Sequence, residues 1–208
     1  MSHAHDDATR ALIAARCAAF PRHDDGLSPA GLKRAAVAIA LVAMEDGRAA
    51  FLLTRRSPRL RSHAYQWALP GGRCDAGETA PETALRELHE ELGLALDAGD
   101  VLGILDDYPT RSGYLVTPVV AWAAAAGPLA PNPDEVASVH HVGLGEIAPP
   151  DVFDFTSIPE SDRRVVRFRY EDDFIHAPTA ALIYQFREVL AGRVTRVADL
   201  EQPVFAWK

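Results

Sequence analysis

The chain has 208 residues, 48% of them hydrophobic and 24% charged, with a formal net charge of −8. That is ordinary for a soluble globular protein of one domain with a small appendage, and the acidic balance argues against general nucleic-acid binding. Two cysteines, Cys17 and Cys74, form neither a disulfide framework nor a metal-ligand spacing, no stretch is long enough for a membrane-spanning helix, and residues 1–10 are polar with no signal core, so a cytoplasmic protein without a membrane partner is expected.

Residues 8–20 (ATRALIAARCAAF) suit an amphipathic helix, and the polar PRHDDGLSP after it reads as a linker. The main domain starts near Arg34. AAVAIALVAM (35–44) is a short buried run closed by the hairpin-type turn Glu45-Asp46-Gly47, and AAFLLTRR (49–56) returns as a second strand. Trp67-Ala68-Leu69-Pro70 leads into the turn Gly71-Gly72. Thr79 as N-cap, Pro81 in the first turn and Gly93 as the stop predict a helix over about 80–92. Val101–Leu105 and Tyr114–Ala123 are β-like, with Pro118 marking an edge or a break in the latter. A Pro-rich loop (128–133), a strand (135–142), a turn (144–147), an alternating strand (164–170) and a helix (179–191) stopped by Gly192 complete the domain. The expected organisation is a helix and linker over 1–33, one domain over 34–200 and a tail over 201–208, in the α/β (α+β) class.

The segment GRCDAGETAPETALRELHEELGL (72–94) carries the chemistry. At roughly 100° per residue, Leu85, Leu88 and Leu92 share one helix face, and Glu87, Glu90 and Glu91 the opposite one. A single such glutamate is ordinarily part of a solvated face. Carboxylates three and four residues apart repel one another unless something neutralises them, and with Glu78 they surround a glycine turn through which backbone can approach a metal or phosphate. Oxygen-only, highly charged clusters suit Mg²⁺ or Mn²⁺, and Arg86 is placed to bridge the carboxylates with its bidentate fork.

The spacing Gly72, five residues, Glu78, seven residues, Arg86-Glu87-Leu88-His89-Glu90-Glu91-Leu92-Gly93-Leu94 resembles the signature of the Nudix hydrolases at every defining position. The resemblance implies an α/β/α sandwich with a mixed sheet, the signature in a loop–helix–loop, and hydrolysis of a nucleoside diphosphate linked to another group. It implies Glu87 and Glu91 as principal metal ligands with the Gly72 carbonyl, Glu90 as a third ligand or hydrogen-bond partner, and Glu78 as an outer ligand bracing the loop with Arg86. The general base is Glu90, Glu91 or Glu135, since family members place it differently.

Residues 52–72 (LLTRRSPRLRSHAYQWALPGG) are similar to a narrower pattern, that of Nudix hydrolases cleaving coenzyme A. Leu52, Leu53, Thr54, Arg56, Ser57, Leu60, His63, Pro70, Gly71 and Gly72 match. Tyr65, Trp67 and Leu69 stand where that pattern has Gly, Val and Phe. Segments 111–122, 133–139 and 179–192 extend the likeness, which spans residues 34–192 in all. It implies coenzyme A or an acyl-coenzyme A as substrate, with adenosine 3′,5′-bisphosphate and 4′-phosphopantetheine as products. Arg55, Arg56, Ser57, His63 and Gly71 are the expected substrate contacts, His63 having as its alternative the fixing of its loop, and Arg55 and Arg56 belonging to a patch with Arg59 and Arg61 that would steer phosphate. ADP-ribose, NADH or another nucleoside diphosphate derivative is the alternative, because the departures put the substrate in question, Tyr65 and Trp67 being bulkier than Gly and Val. Many relatives are dimers, so a homodimer is one option. A silent nucleotide-sensing domain would have lost its glutamates, and here all are present.

Overall fold

The structure, a computed structural model, describes residues 3–23, 31–59, 65–125 and 127–206. Among these are three α-helices, α1 (Asp7–Ala19), α2 (Ala80–Leu92) and α3 (Thr179–Leu190). The strands are β1 (Lys33–Ala43), β2 (Ala49–Arg56), β3 (Trp67–Ala68), β4 (Gly71–Arg73), β5 (Val101–Ile104), β6 (Tyr108–Pro109), β7 (Tyr114–Trp122), β8 (Val136–Gly143), β9 (Phe153–Ile158), β10 (Ser161–Tyr170) and β11 (Asp173–His176). The mixed-sheet α+β sandwich expected from the sequence is the fold that forms. Among the described residues no helix is long and apolar enough to cross a membrane.

The sheet is forked, and the fork positions the site. β1 and β2 pair only near their turn, Leu41–Ala43 against Ala49–Phe51. Beyond that point they part. β4 takes the edge of β1 (Ala35–Val37 against Gly71–Arg73), and β3 takes the edge of β2 (Thr54 and Arg55 against Ala68 and Trp67). Leu69-Pro70 lies between them, and Ala38 N–H donates to the Pro70 carbonyl at 2.8 Å. β8 covers the other edge of β2, while β7 runs parallel to β1 along Lys33–Leu41.

Alternation along β1 sends its residues to two different layers. Ala36, Ala38, Ala40 and Val42 face α2 and meet Ala84, Leu88 and Leu92. This row of small side chains lets the helix lie close to the sheet. Ile39 and Leu41 face the opposite way, into a larger core with Ile13 and Cys17 of α1, Phe186 and Ile183 of α3, and Phe168 and Ile175 of a second sheet ordered β11-β10-β9. So α1, read from sequence as lying outside the main domain, shares its core. A side chain at Gly103 of β5 would collide with Cys17 Cβ, so that glycine is what lets α1 lie down on the strand. The segment after α3 also joins this layer. Glu201 and Gln202, placed by the sequence in the tail, are buried; Glu201 pairs with Arg111, and Tyr108 Oη donates to the Leu200 carbonyl at 2.9 Å.

Pro118 corrects one expectation. It lies inside β7, neither at an edge nor at a break, with β1 on one side. Its carbonyl accepts from Leu105 N–H at 3.0 Å, at the point where β5 gives way to β6. A residue's N–H and C=O point to the same side of a strand, so the N–H that proline lacks falls in the interruption between two short partners and costs no ladder bond.

If α1 is part of the core, truncating its buried anchor should unfold more than the helix. Ile13, 1% exposed, replaced by Ala should lower the unfolding free energy by about 2–5 kcal/mol in urea titrations followed by near-ultraviolet dichroism. A change below about 0.5 kcal/mol would mean that α1 is dispensable.

Candidate active site

Helix α2 is locally well specified. Thr79 accepts from Glu82 N–H while the Glu82 carboxylate accepts from Thr79 N–H at 2.8 Å, a reciprocal capping box. Gly93 ends the helix in the left-handed conformation at φ 68° and donates to the His89 carbonyl. The register, however, differs from the simple leucine-face reading. Leu88 and Leu92 are buried as expected, but Leu85 is only partly buried, and Glu91 is 5% exposed. Glu91 lies on the sheet side of the helix, not on the face opposite the leucines. The buried arc is centred on Ala84 and Glu91, because small residues fit against the alanine row of β1.

Glu91 accepts a hydrogen bond from Gly71 N–H at 3.3 Å. Burial pushes its carboxyl up to about 8, with Glu87 and Glu135 adding repulsion and Arg56 partly opposing it. Glu87 is half-buried against the turn, and burial again raises its carboxyl, while Arg86 pulls it down. The glycines make this possible. A Cβ on Gly72 would strike the Glu87 carboxylate, and one on Gly71 would strike the Ala36 carbonyl and Val37.

Arg86 organises the outer carboxylates. Its Nε donates to Glu78 Oε1 at 2.9 Å, its Nη1 to Glu87 Oε1 at 2.9 Å and Glu90 Oε2 at 3.1 Å, and its Nη2 to the Arg73 carbonyl at 3.1 Å. The guanidinium is the first cause holding the Glu78 carboxyl down to about 2, helped by Asp75 N–H and Thr83 Oγ1. Four ligands for one arginine leave it no freedom, and they tie the loop before α2 to the helix.

The remaining expected site residues divide. Glu135 arrives on the loop before β8, close enough to raise both Glu87 and Glu91. Ser57 is buried and donates to the Pro133 carbonyl, and its N–H donates to the Glu135 carbonyl at 2.8 Å, so it fastens the Glu135 loop and does not face ligand. Arg55 is engaged with the Tyr65 carbonyl and Asp173, and Arg59 with Asp134. Arg56 is the arginine of this group that lines the cavity next to the glycine turn, and its buried Nε has no hydrogen-bond partner. His63 and Arg61 lie outside the described residues.

That cavity, about 680 Å³, is lined by Arg56, Gly72, Arg73, Trp67, Tyr114, β11 and Phe205, with the Arg73 guanidinium over the Tyr114 ring at 5.3 Å. Its size is that of a small-molecule site. Sequence reasoning gave β11 and Phe205 no role. Periodicity carries no signal for residues brought together from 67, 114, 174 and 205. Trp67 Nε1 donates to Asp173 Oδ2 at 2.9 Å, joining the two sheets across the cavity wall. Tyr65, which also lines it, sits at φ 62°, a left-handed conformation that costs a non-glycine residue about 1–2 kcal/mol.

Among the described residues no three His, Cys, Asp or Glu side chains are already gathered as a metal cage. The donor chemistry nonetheless fits a hard divalent cation. Glu91 is a desolvated carboxylate paired with no cation among the described residues, Glu87 shares Arg86 with Glu78 and Glu90, and a backbone turn stands beside them.

Comparison with known proteins places this geometry in a family context. Residues 32–167 match the NUDIX domain. The chain is 39% identical over 150 residues to the Nudix hydrolase NudL of Pectobacterium atrosepticum, covering 68% of this chain and 76% of the relative. It is 36% identical over 154 residues to NudL of Yersinia pestis, covering 73% and 76%. Among solved structures, a Nudix hydrolase from M. smegmatis, RenU, superposes with TM-score 0.51 at 27% identity over 80% of this chain and 91% of that one. A MutT/nudix family protein from Enterococcus faecalis gives TM-score 0.54 at 19% identity, over 76% of this chain and 62% of its own.

The buried Glu91 should be visible in the pH dependence of stability. Its carboxyl stays protonated in the chelator-treated folded protein up to about 8, against 4.5 when free. The folded state therefore holds the extra proton in that window, and stability is lost as pH rises through it, by up to about 1.4 kcal/mol per pH unit. Denaturant titrations in EDTA between pH 5 and pH 8 on the protein and on Glu91→Gln should show a steeper decline in the former; parallel curves would mean that the carboxyl titrates normally.

Proposed function

The chain belongs to the Nudix family and is a hydrolase, and from that premise we propose that it cleaves the diphosphate bond of a nucleoside diphosphate derivative, coenzyme A or an acyl-coenzyme A before others, with Mg²⁺ or Mn²⁺ as cofactor. The observation that carries the reading is the pair of desolvated carboxylates, Glu87 and Glu91, pressed against the Gly71-Gly72 turn, whose Gly72 lines a ligand-sized cavity. For coenzyme A the products are adenosine 3′,5′-bisphosphate and 4′-phosphopantetheine.

Glu87 and Glu91, with the Gly72 carbonyl, are the groups that would hold the cation, and Glu90 would join them on leaving Arg86. When bound, the cation supplies Lewis-acid neutralisation of the diphosphate oxygens and acidifies water. The chain's own residues do the rest. Arg56 lines the cavity beside the glycine turn and would supply positive charge to a phosphate entering it. Arg86 and Glu78 brace the loop and helix so that the turn and the acids keep their spacing. Glu135 stands close enough to the buried pair to accept a proton from the attacking water, a role open also to Glu90 and Glu91.

Support for coenzyme A is the Leu-Leu-Thr-x-Arg-Ser stretch with Arg56 turned to the cavity. A second reading, ADP-ribose or NADH, is favoured by a specific finding. Arg55 and Arg59 are held by Asp173 and Asp134, which leaves fewer cations for a 3′-phosphate, and Tyr65 and Trp67 both line the cavity.

The deciding experiment incubates the protein with Mg²⁺ or Mn²⁺ and coenzyme A, acetyl-coenzyme A, ADP-ribose, NADH or a dinucleoside polyphosphate and separates the products. Adenosine 3′,5′-bisphosphate ahead of all AMP-releasing reactions is the expected result; AMP from ADP-ribose or NADH alone would select the second reading. Glu91→Gln should lower turnover by about 10² or more while leaving the fold intact by circular dichroism. Full activity of that variant at saturating Mg²⁺ would remove Glu91 from the site.

A further inference from the structure

The loop that carries Glu135 is held at both ends by residues of the site. At one end Asn132 N–H donates to the Glu91 carbonyl at 2.8 Å and Ala130 N–H to the Leu92 carbonyl at 2.8 Å, so the loop hangs from the last turn of α2. At the other end Ser57 N–H donates to the Glu135 carbonyl at 2.8 Å and Ser57 Oγ to the Pro133 carbonyl at 3.3 Å. Between these ties the Asn132 carbonyl accepts from Glu135 N–H at 3.1 Å and from Val136 N–H at 2.8 Å. Pro131 and Pro133 stiffen the same turn, because their rings fix φ.

The strand that follows is bent to suit. In the pairing of β2 with β8, Arg55 faces Ser138 but Arg56 faces Val136, so Ala137 is an extra residue, a β-bulge. Val136 and Val139 both pack in the layer under α2, three residues apart. Strict alternation would give that place to Ala137, which is instead exposed. The bulge thus seats Val136 beside Arg56 and brings Glu135 to the acids of α2, near enough for its charge to act on Glu87 and Glu91. Two ties then join the loop to the chain after β2, and they are unequal. The Arg59–Asp134 pair is 70% and 75% exposed, so water screens it. Ser57 is 2% exposed, and a buried hydroxyl keeps its partner.

We propose that Ser57 is a positioning residue for the hydrolysis, holding the Glu135 loop so that its carboxylate stands against the acids of α2. The inference rests on the hydrolytic reading of those acids. It assigns the two halves of the Arg56-Ser57 pair different work: Arg56 lines the cavity, and Ser57, turned into the protein, acts through Glu135. Because the two are neighbours in the chain, the end of β2 sets the spacing between a cavity cation and a site carboxylate.

The test is a double-mutant cycle, Ser57→Ala and Glu135→Gln alone and together, with two readouts. The first is turnover with Mg²⁺ of whichever of coenzyme A, acetyl-coenzyme A, ADP-ribose and NADH the parent hydrolyses fastest. Glu135→Gln should lower kcat by about 10². Ser57→Ala should lower kcat by about tenfold with KM within about twofold of the parent, and by less than about twofold when Glu135 is already Gln. The second readout is amide hydrogen exchange, which should be about tenfold faster over residues 130–137 in Ser57→Ala and unaltered in α1. A raised KM with kcat unchanged would make Ser57 a substrate contact and overturn the proposal. Equal losses from Ser57→Ala in both backgrounds, a Glu135→Gln variant as active as the parent, or unaltered exchange in the loop would each overturn it as well. Faster exchange confined to this loop, in a protein that hydrolyses none of the four compounds, would support the clamp and sink the hydrolytic reading, whereas turnover with equal losses in both backgrounds would do the reverse.

Discussion

The constraint on which the rest of the structure depends is the burial of Glu91. A carboxylate taken out of water without a dedicated counter-ion is unfavourable, and here the ionised form is disfavoured strongly enough to move the carboxyl to about 8. Several otherwise separate features make sense as ways of holding this group in place. The alanine row on β1 brings α2 close enough that position 91 lies between helix and sheet. The fork in the sheet delivers Gly71 N–H to its oxygen. Capping at both ends fixes the helix rotation that aims Glu91 and Glu87 at the turn. A helix free to roll by one residue would expose Glu91 and bury Leu85 instead, and the hydrophobic gain of that roll would favour it. The capping box, the Gly93 stop and the Arg86 cluster oppose the roll.

Arg86 shows how the other charges are handled. Three carboxylates within reach of each other repel, and one guanidinium satisfies all three while also binding the Arg73 carbonyl. Because the arginine is shared, no acid is fully compensated. One positive charge against three carboxylates holds the cluster together and still leaves it short of positive charge. A lysine would not serve here, since a point charge cannot fork between Glu78 on the loop and Glu87 and Glu90 on the helix.

Local physics made much of this legible in the sequence. The cap at Thr79, the stop at Gly93, the β1–β2 hairpin and the helix over 179–190 are each signalled by residues within a few positions of where they act. The signature acids were equally plain. What escaped depended on distance. β9 and β11 are short and become strands only by pairing with β10. Pro118 read as an edge because its partner's interruption, between β5 and β6, lies elsewhere in the chain. The depth of Glu91 escaped because a periodicity analysis weights leucines and treats glutamate as polar, whereas the buried arc is drawn by alanines, which carry little weight in such patterns. Ser57 matched a pattern and Arg55 belonged to a basic patch, yet both face the protein itself, since a motif fixes which residues are near a site but not which way each one points.

Departures from a pattern are more informative once the backbone is known. Leu69 for Phe is a substitution of one buried apolar side chain for another and changes little. Trp67 for Val adds an indole N–H, and the fold uses it to bond Asp173 in the second sheet, so the residue belongs to a wall. Tyr65 for Gly sits at a positive φ that glycine alone adopts freely. These three exchanges have the same standing as letters and different consequences as physics. The first is absorbed by packing, the second is compensated by a hydrogen bond, and the third has no compensation within the protein. What the loop takes from this residue is its backbone, whose N–H donates to the Arg56 carbonyl at 3.2 Å and whose carbonyl accepts from Arg55 Nε at 3.1 Å, while the side chain, 60% exposed, offsets little of the local cost.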